Sequence, residues 1–275
     1  MKLQEKFKTL TQQKRGLLAT NFYNFETISG VLHAAQATHQ PLILQLTQSS
    51  IDYMTLPVAV NLARTGLASY GVEGWLHLDH GGSYELAAQC LDAGFDSVMI
   101  DASEMPFEEN VKVTRKVVQL AEQYGANVEA ELGYVAKLGQ SHQKNGFTHP
   151  EEARQFVEET GVDALAVAIG SAHGFYQKAP ELQMDLLSEI QESTPATLVL
   201  HGSSGIPHSD LQEAIRRGIC KINLATEIKD TFMQTLKKTL AETDEIDLRK
   251  VFPTATQAVT QLVKEKLTVV SLSDS

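Results

Sequence analysis

Gly74-Trp-Leu-His-Leu-Asp-His80, followed at once by Gly81-Gly82, is a short apolar run that ends in charge. Two further runs end the same way, Leu165-Ala-Val-Ala-Ile-Gly-Ser-Ala-His173 and Thr197-Leu-Val-Leu-His201. In each, residues suited to a buried strand give way to an imidazole at the polar end. A histidine at a strand end can simply bond a loop backbone. Three in equivalent places point instead to one metal, because imidazole nitrogen suits zinc and a catalytic zinc keeps three protein ligands and one open position for water or substrate.

Outward from these runs the chain alternates brief strand-like segments with longer helical ones. Candidate strands cover Gly16–Asn21, Pro41–Thr47, Gly74–His80, Ser97–Ala102, Ala126–Gly133, Ala164–Gly170, Thr197–Gly202 and Lys221–Ala225. Most are rich in Val, Ile and Leu and end in polar residues or Gly, as buried parallel strands do. Between them lie amphipathic stretches such as Phe107 to Tyr124, where Val113, Val117, Leu120, Ala121 and Tyr124 recur at three- and four-residue intervals. Eight such units predict an α/β fold, a (β/α)8 TIM barrel, whose active site sits at the C-terminal strand ends. A doubly wound sheet shows the same alternation. The polar residues at the run ends come from strands three to eight, however, which suits a ring better than one crevice. No Pro/Ser-rich linker divides the chain, so residues 1–275 read as one domain. A further amphipathic helix is expected over Thr254–Lys266, with a tail after Val270 that frays.

Composition narrows the function classes. The 275 residues are 43% hydrophobic and carry a formal net charge of -11, and no basic run exceeds Lys237-Lys238, so the polyanion of a nucleic acid is not an expected partner. Cys90 and Cys220 lie in apolar stretches without metal-ligand spacing, which suits a reducing cytoplasm. The segment Met1 to Arg15 is polar and helix-prone, and no apolar run reaches the ~20 residues of a membrane span; neither export nor membrane insertion is expected.

The run ends together place Asp79, His80, Asp101, Glu131, His173, His201 and Asn223 at one mouth. Strand alternation sends Asp79 and His80 to opposite sides, so both serve one site only if the chain bends there. Gly81-Gly82 offers the place to bend. His77 alternates with Asp79 and is expected deeper, in a supporting or core position.

Six ordered motifs now carry a resemblance. Leu78-Asp79-His80-Gly81, Ser97-Val-Met-Ile-Asp101-Ala-Ser103, Val128-Glu-Ala-Glu131-Leu-Gly133, Ala166-Val-Ala-Ile-Gly-Ser-Ala-His173-Gly174, Leu200-His201-Gly202-Ser-Ser204-Gly205 and Lys221-Ile-Asn223-Leu-Ala225-Thr226 closely resemble the class II fructose- and tagatose-bisphosphate aldolases over nearly the whole chain. The resemblance implies that His80, His173 and His201 bind a catalytic divalent metal, usually zinc, and that Asp79 is the acid/base. It places Asp101 and Glu131 beside the metal, at an alternative metal position or steering its ligands. Gly174, Gly202, Ser204, Asn223, Ala225 and Thr226 match positions that present amides and small polar groups to a substrate phosphate, and a monovalent cation, Na+ or K+, near that phosphate is implied too. The expected activity is reversible cleavage of a ketose 1-phosphate or 1,6-bisphosphate to dihydroxyacetone phosphate and an aldehyde. Tagatose bisphosphate is the first substrate expectation, because the short chain and the Val-Ala-Ile-Gly-Ser-Ala-His pattern look more like the tagatose and inositol-catabolic branches. A homodimer or homotetramer is implied, with Arg249 resembling an arginine that reaches a neighbouring subunit's substrate phosphate.

One stretch departs from the family. Tyr134-Val-Ala-Lys-Leu-Gly-Gln-Ser-His-Gln-Lys-Asn-Gly-Phe147 holds no Asp or Glu, where the family has a loop glutamate that exchanges a proton with the substrate carbon. That exchange then falls to His142, Tyr134 or metal-bound water, or turnover is weakened. Lys137, Lys144 and His142 suggest an aldehyde half bearing a second anion, such as phosphate, sulfonate or carboxylate. A regulatory or chaperone-like subunit is the alternative from another class, opposed by the intact Asp79 and three histidines. A metal-dependent hydrolase on the same barrel is opposed by the phosphate loops.

Overall fold

The computed structural model describes residues 1–133, 136–137, 146–176 and 180–272. Eight parallel strands close into a barrel: β1 (Leu17–Asn21), β2 (Leu42–Leu46), β3 (Gly74–Gly81), β4 (Ser97–Ile100), β5 (Asn127–Leu132), β6 (Ala164–Val167), β7 (Thr197–Leu200) and β8 (Ile219–Leu224). Closure comes from β1 pairing with β8, in register from Leu17 opposite Lys221 to Thr20 opposite Leu224. All eight expected strands are present, and the closed ring excludes the doubly wound sheet.

Alternation along each strand builds two different interiors. Outward residues such as Leu76, Leu78, Val98, Ile100, Leu198 and Leu200 join the apolar layer shared with the surrounding helices. Inside, the lower end is apolar, where Leu17, Ala19, Ile43, Trp75 and Cys220 meet Leu3, Phe7 and Leu10 of the first helix, Leu3–Gln12. Their spacing of four and three residues makes one face of that helix a plug for the barrel floor. The upper interior is polar, with Asn21, Gln45, His77, Asp79, Glu129, Glu131, Lys221 and Asn223 all buried.

Three local readings change in the structure. The bend falls on His80 itself, inside β3, with φ 49, and pairing with β4 shifts between Leu78 and Gly81. This bulge sends two consecutive side chains to the same site. Gly81 then lies so close to the Met99 carbonyl that a Cβ there would collide with it. Helix Phe107–Glu122 forms as expected, but its buried stripe is Asn110, Val111, Thr114, Val117 and Ala121, and Tyr124 is exposed. The last helix is far longer than Thr254–Lys266: it runs Leu248–Ser271, is capped by the Asp247 side chain, whose Oδ1 accepts from Arg249 N at 3.0 Å, and carries Pro253 within it. Pro253 removes one hydrogen bond near the start of the helix, a loss that packing of Val251, Ala255, Val259 and Val263 offsets. Of the tail after Val270, Ser271 is buried, its carbonyl accepting from Arg15 Nε at 3.0 Å, and residues 273–275 lie outside the described residues. No helix among the described residues is long and apolar enough to cross a membrane.

Candidate active site

His80, His173, His201 and Glu131 each offer a ligand atom, and these atoms lie within 4.8 Å of one another. The three imidazoles arrive from different places: the β3 bulge, a two-residue ladder in which Ala172–His173 pairs with Ala136–Lys137, and the residue after β7. Ring centroids are 5.0 Å apart for His80 and His173, 4.7 Å for His80 and His201, and 5.7 Å for His173 and His201.

Two of the rings are oriented by carboxylates. Asp101 Oδ2 lies 2.6 Å from His80 Nδ1 and Glu129 Oε1 lies 2.9 Å from His201 Nε2. An ionised carboxylate only accepts, so these nitrogens carry hydrogen and the opposite nitrogens turn inward, where His80 Nε2 and His201 Nδ1 stand 3.0 Å apart. Burial disfavours charge on His80, but Asp79, Asp101 and Glu131 outweigh it and raise its pKa to about 9. A hydrogen on Nε2 then bridges to His201, which burial first and His80 and Lys221 next keep neutral. The bridging proton stands where a cation would sit. Three imidazoles and a carboxylate, with two rings held by carboxylates behind them, are a donor set that fits a divalent metal such as zinc. Asp101 is outside the cluster and serves His80; its carboxyl is held below the usual range, burial opposing charge but His80 and Ser103 stabilising it.

Asp79 faces the cluster without joining it, its Oδ1 3.9 Å from His80 Nε2. Asn21 Nδ2 donates to Oδ2 at 3.0 Å and Asn223 Nδ2 to Oδ1 at 3.3 Å, while Gln45 Nε2 anchors Asn21 Oδ1 at 2.8 Å. Asn223 Nδ2 also lies 3.1 Å from His201 Nε2; since Glu129 claims the hydrogen on that nitrogen, the amide serves Asp79. Burial opposes ionisation of Asp79, but His80, His201 and Lys221 together with the Asn21 hydrogen bond hold its carboxyl below the ordinary value.

Above these groups opens a cavity of about 760 Å³. Every residue expected at the site lines it except His201, which is fully buried beneath. Gly174, Gly202, Ser204, Asn223, Ala225 and Thr226 form one side, where helix Thr226–Glu242 begins and offers its first amides to an anion. Gly202, at φ 69, packs against the backbone of Ala172 too closely for a side chain. Ser204 Oγ accepts from Glu227 N at 3.3 Å and Glu227 Oε1 accepts from Gly205 N at 2.7 Å, tying the loops after β7 and β8 together. Lys229 lines the same side, 5.6 Å from the Tyr23 ring centroid.

Asn21, Gln45, Glu129, Lys221 and Lys229 escaped the sequence reading. A signal existed for two of them: Glu129 shares the inward face with Glu131, and Lys221 with Asn223, so period two places charge inside the barrel at both. His77 is buried as expected, its Nδ1 2.8 Å from Ser97 Oγ. Arg249 is exposed and paired with its own Asp247 at 2.9 Å. Tyr134, His142 and Lys144 lie outside the described residues, as does the side chain of Lys137.

The sequence model of the family "Fructose-bisphosphate aldolase class-II" matches residues 1–275. The chain belongs to the class II fructose-bisphosphate aldolase family. Within this family it is similar to the fructose-bisphosphate aldolases of Staphylococcus aureus strain Mu50 and of Staphylococcus epidermidis, each 40% identical over 253 residues, covering 90% of this chain and 88% of the relative. Among solved structures, the YdjI aldolase of Escherichia coli K12 superposes with a TM-score of 0.88 at 31% identity, covering 98% of this chain and 96% of that one. The fructose-bisphosphate aldolase of Campylobacter jejuni, at 21% identity and TM-score 0.82 over 98% and 93% of the two chains, shares the fold.

Proposed function

We propose that this class II aldolase works as a single-domain, zinc-dependent enzyme that reversibly cleaves a ketose 1-phosphate or 1,6-bisphosphate to dihydroxyacetone phosphate and an aldehyde, with tagatose 1,6-bisphosphate the first substrate to test. One observation carries the reading: a histidine cluster fit for a metal and an ionised, buried Asp79 face the same cavity, whose other side is lined by Gly202, Ser204, Ala225 and Thr226 at the start of a helix. His80, His173 and His201 would hold the zinc, with Glu131 in reach as a further ligand. Zinc bound there supplies a Lewis acid for the ketose carbonyl and its neighbouring hydroxyl.

The protein's own groups do the rest. Amides and hydroxyls of Gly202, Ser204, Ala225 and Thr226 seat the 1-phosphate, and Lys229 adds charge at that side. Asp79 takes the proton from the C4 hydroxyl and returns it to solvent after the aldehyde leaves; the C4–O bond becomes the aldehyde carbonyl as the C3–C4 electron pair passes to the ketone half, which regains at C3 a proton that comes from solvent, directly or through His142 or Tyr134. Asn21 and Asn223 hold the Asp79 carboxylate in place for the first transfer. The resemblance extends the reading to a monovalent cation beside the phosphate, to a homodimer or homotetramer in which Arg249 crosses to a neighbour, and to a cytoplasmic setting.

Measurement of bound zinc together with dihydroxyacetone phosphate release from a panel of ketose phosphates, with and without Na+ or K+, tests this. Zinc-dependent release from at least one member supports the reading. Full zinc occupancy without release from any member refutes it.

A further inference from the structure

Beneath the histidine cluster lies a buried set of groups that touches no part of the cavity. Glu129, Lys221 and His77 are each at most 1% exposed, and none lines the cavity. Lys221 Nζ is 2.7 Å from Glu129 Oε2 and 3.5 Å from His77 Nε2. Glu129 Oε1 is 2.9 Å from His201 Nε2. His77 Nδ1 is 2.8 Å from Ser97 Oγ, which donates in turn to Asn127 Oδ1 at 3.1 Å.

The direction of every hydrogen in this chain follows from the ion pair. An ammonium can only donate, so His77 Nε2 is bare and its hydrogen sits on Nδ1, pointing at Ser97. A carboxylate can only accept, so His201 carries its hydrogen on Nε2 and leaves Nδ1 bare, 3.0 Å from His80 Nε2 and 3.6 Å from Glu131 Oε2. One buried pair thus imposes opposite tautomers on two imidazoles. Stability gives no reason to keep such a pair, because well-packed neutral groups of similar size often replace a buried ion pair without loss.

We propose that Glu129 and Lys221 are positioning residues that fix the His201 tautomer and so aim its Nδ1 lone pair into the metal cluster. This inference rests on the zinc-dependent reading above. Lys221 Nζ pairs with Glu129 Oε2 and leaves Oε1 for His201, where it holds the Nε2 hydrogen. Neither touches substrate.

The test compares wild type with E129Q, K221M and the E129Q/K221M double variant, measuring the zinc dissociation constant by competition with a chromophoric chelator and thermal stability in the metal-free state. Each single variant leaves one buried charge without its counter-charge and loses stability. The double variant is neutral and regains it. Zinc binding is expected to stay weaker by about 10- to 100-fold in E129Q and in the double variant, the usual cost of losing a carboxylate behind a metal-bound histidine. Zinc affinity that instead follows stability across all variants, returning to the wild-type value in the double one, overturns the proposal. Wild type alone supplies a second measurement: ¹⁵N chemical shifts of the His201 ring must show Nε2 protonated, and Nδ1 shifting on zinc addition. Zinc binding through Nε2 overturns the proposal even if no variant folds. A wild-type protein that takes up no zinc overturns the metal-dependent reading itself, whereas a zinc-binding wild type matched by the double variant overturns the positioning role alone.

Discussion

Asp79→Asn separates the proton-transfer role of Asp79 from its place in the structure. The carboxylate accepts from two amides, Asn21 Nδ2 at 3.0 Å and Asn223 Nδ2 at 3.3 Å. Asparagine keeps one carbonyl oxygen but confronts the second donor with an amide of its own. Asn21 cannot turn to relieve this, because Gln45 holds its Oδ1 at 2.8 Å; Asn223 can. A buried donor left without an acceptor costs about 1–3 kcal/mol, and rotation of Asn223 brings the loss toward the lower figure. Catalysis loses far more, since removal of a general base lowers kcat by about 100- to 10,000-fold, or roughly 2.7–5.4 kcal/mol of barrier. Zinc content is expected to be unchanged, because Asp79 is not among the four clustered ligands. The assay couples dihydroxyacetone phosphate release to its NADH-dependent reduction, alongside a zinc determination and a thermal melt. A zinc-replete variant within tenfold of the wild-type kcat refutes the role. The same carboxyl sits below its ordinary pKa, so it is ionised throughout the neutral range and any acid limb it causes falls below pH ~4.

Zinc affinity should climb with pH toward 9, about tenfold per unit, because zinc must displace the proton that His80 holds up to about pH 9; a flat chelator-competition profile between pH 7 and 8.5 contradicts this. The sign reverses for the metal-free fold: a raised pKa contributes stability in full below about 6.5 and loses it as pH rises through about 9, visible as a falling Tm. Lys229→Met should raise KM for the phosphorylated ketose about tenfold at low salt, the worth of one charged contact, with kcat little changed; an unaltered KM removes Lys229 from the anion site. Gly202→Ala forces a side chain onto a backbone at φ 69 against Ala172 and is expected to cost at least ~1–3 kcal/mol in urea unfolding and to impair activity; wild-type stability would show that the loop relaxes freely. Phe7→Ala empties the barrel floor and should cost about 3–5 kcal/mol while leaving zinc affinity intact; a coupled loss of zinc binding would contradict the separation of the apolar lower interior from the polar upper one.

The course from β1 to β8 was readable because buried parallel strands are short apolar runs and the helices between them have a different period. His80, His173 and His201 were readable because each ends such a run. The plug formed by Leu3, Phe7 and Leu10 was less visible: its spacing shows a helix, but nothing local says that its apolar face turns to the barrel floor. The last helix extends at both ends beyond Thr254–Lys266, through Pro253 at one end and to Ser271 at the other, because its Val251, Ala255, Val259 and Val263 face packs in the core, which local sequence does not reveal.

Local order along the chain therefore settles which residues stand at strand ends, and with them the barrel and the family's histidines, since both depend on periods of two and of three to four residues. Partners across the ring are another matter. Glu129 meets His201 from 72 positions away, Lys221 meets His77 from 144, and Asn21 reaches Asp79 from 58. Such contacts depend on strand register and on the bulge at His80, which exist only once the barrel has closed, and it is they that set which imidazole nitrogen faces the metal position and which carboxylate stays ionised beside it.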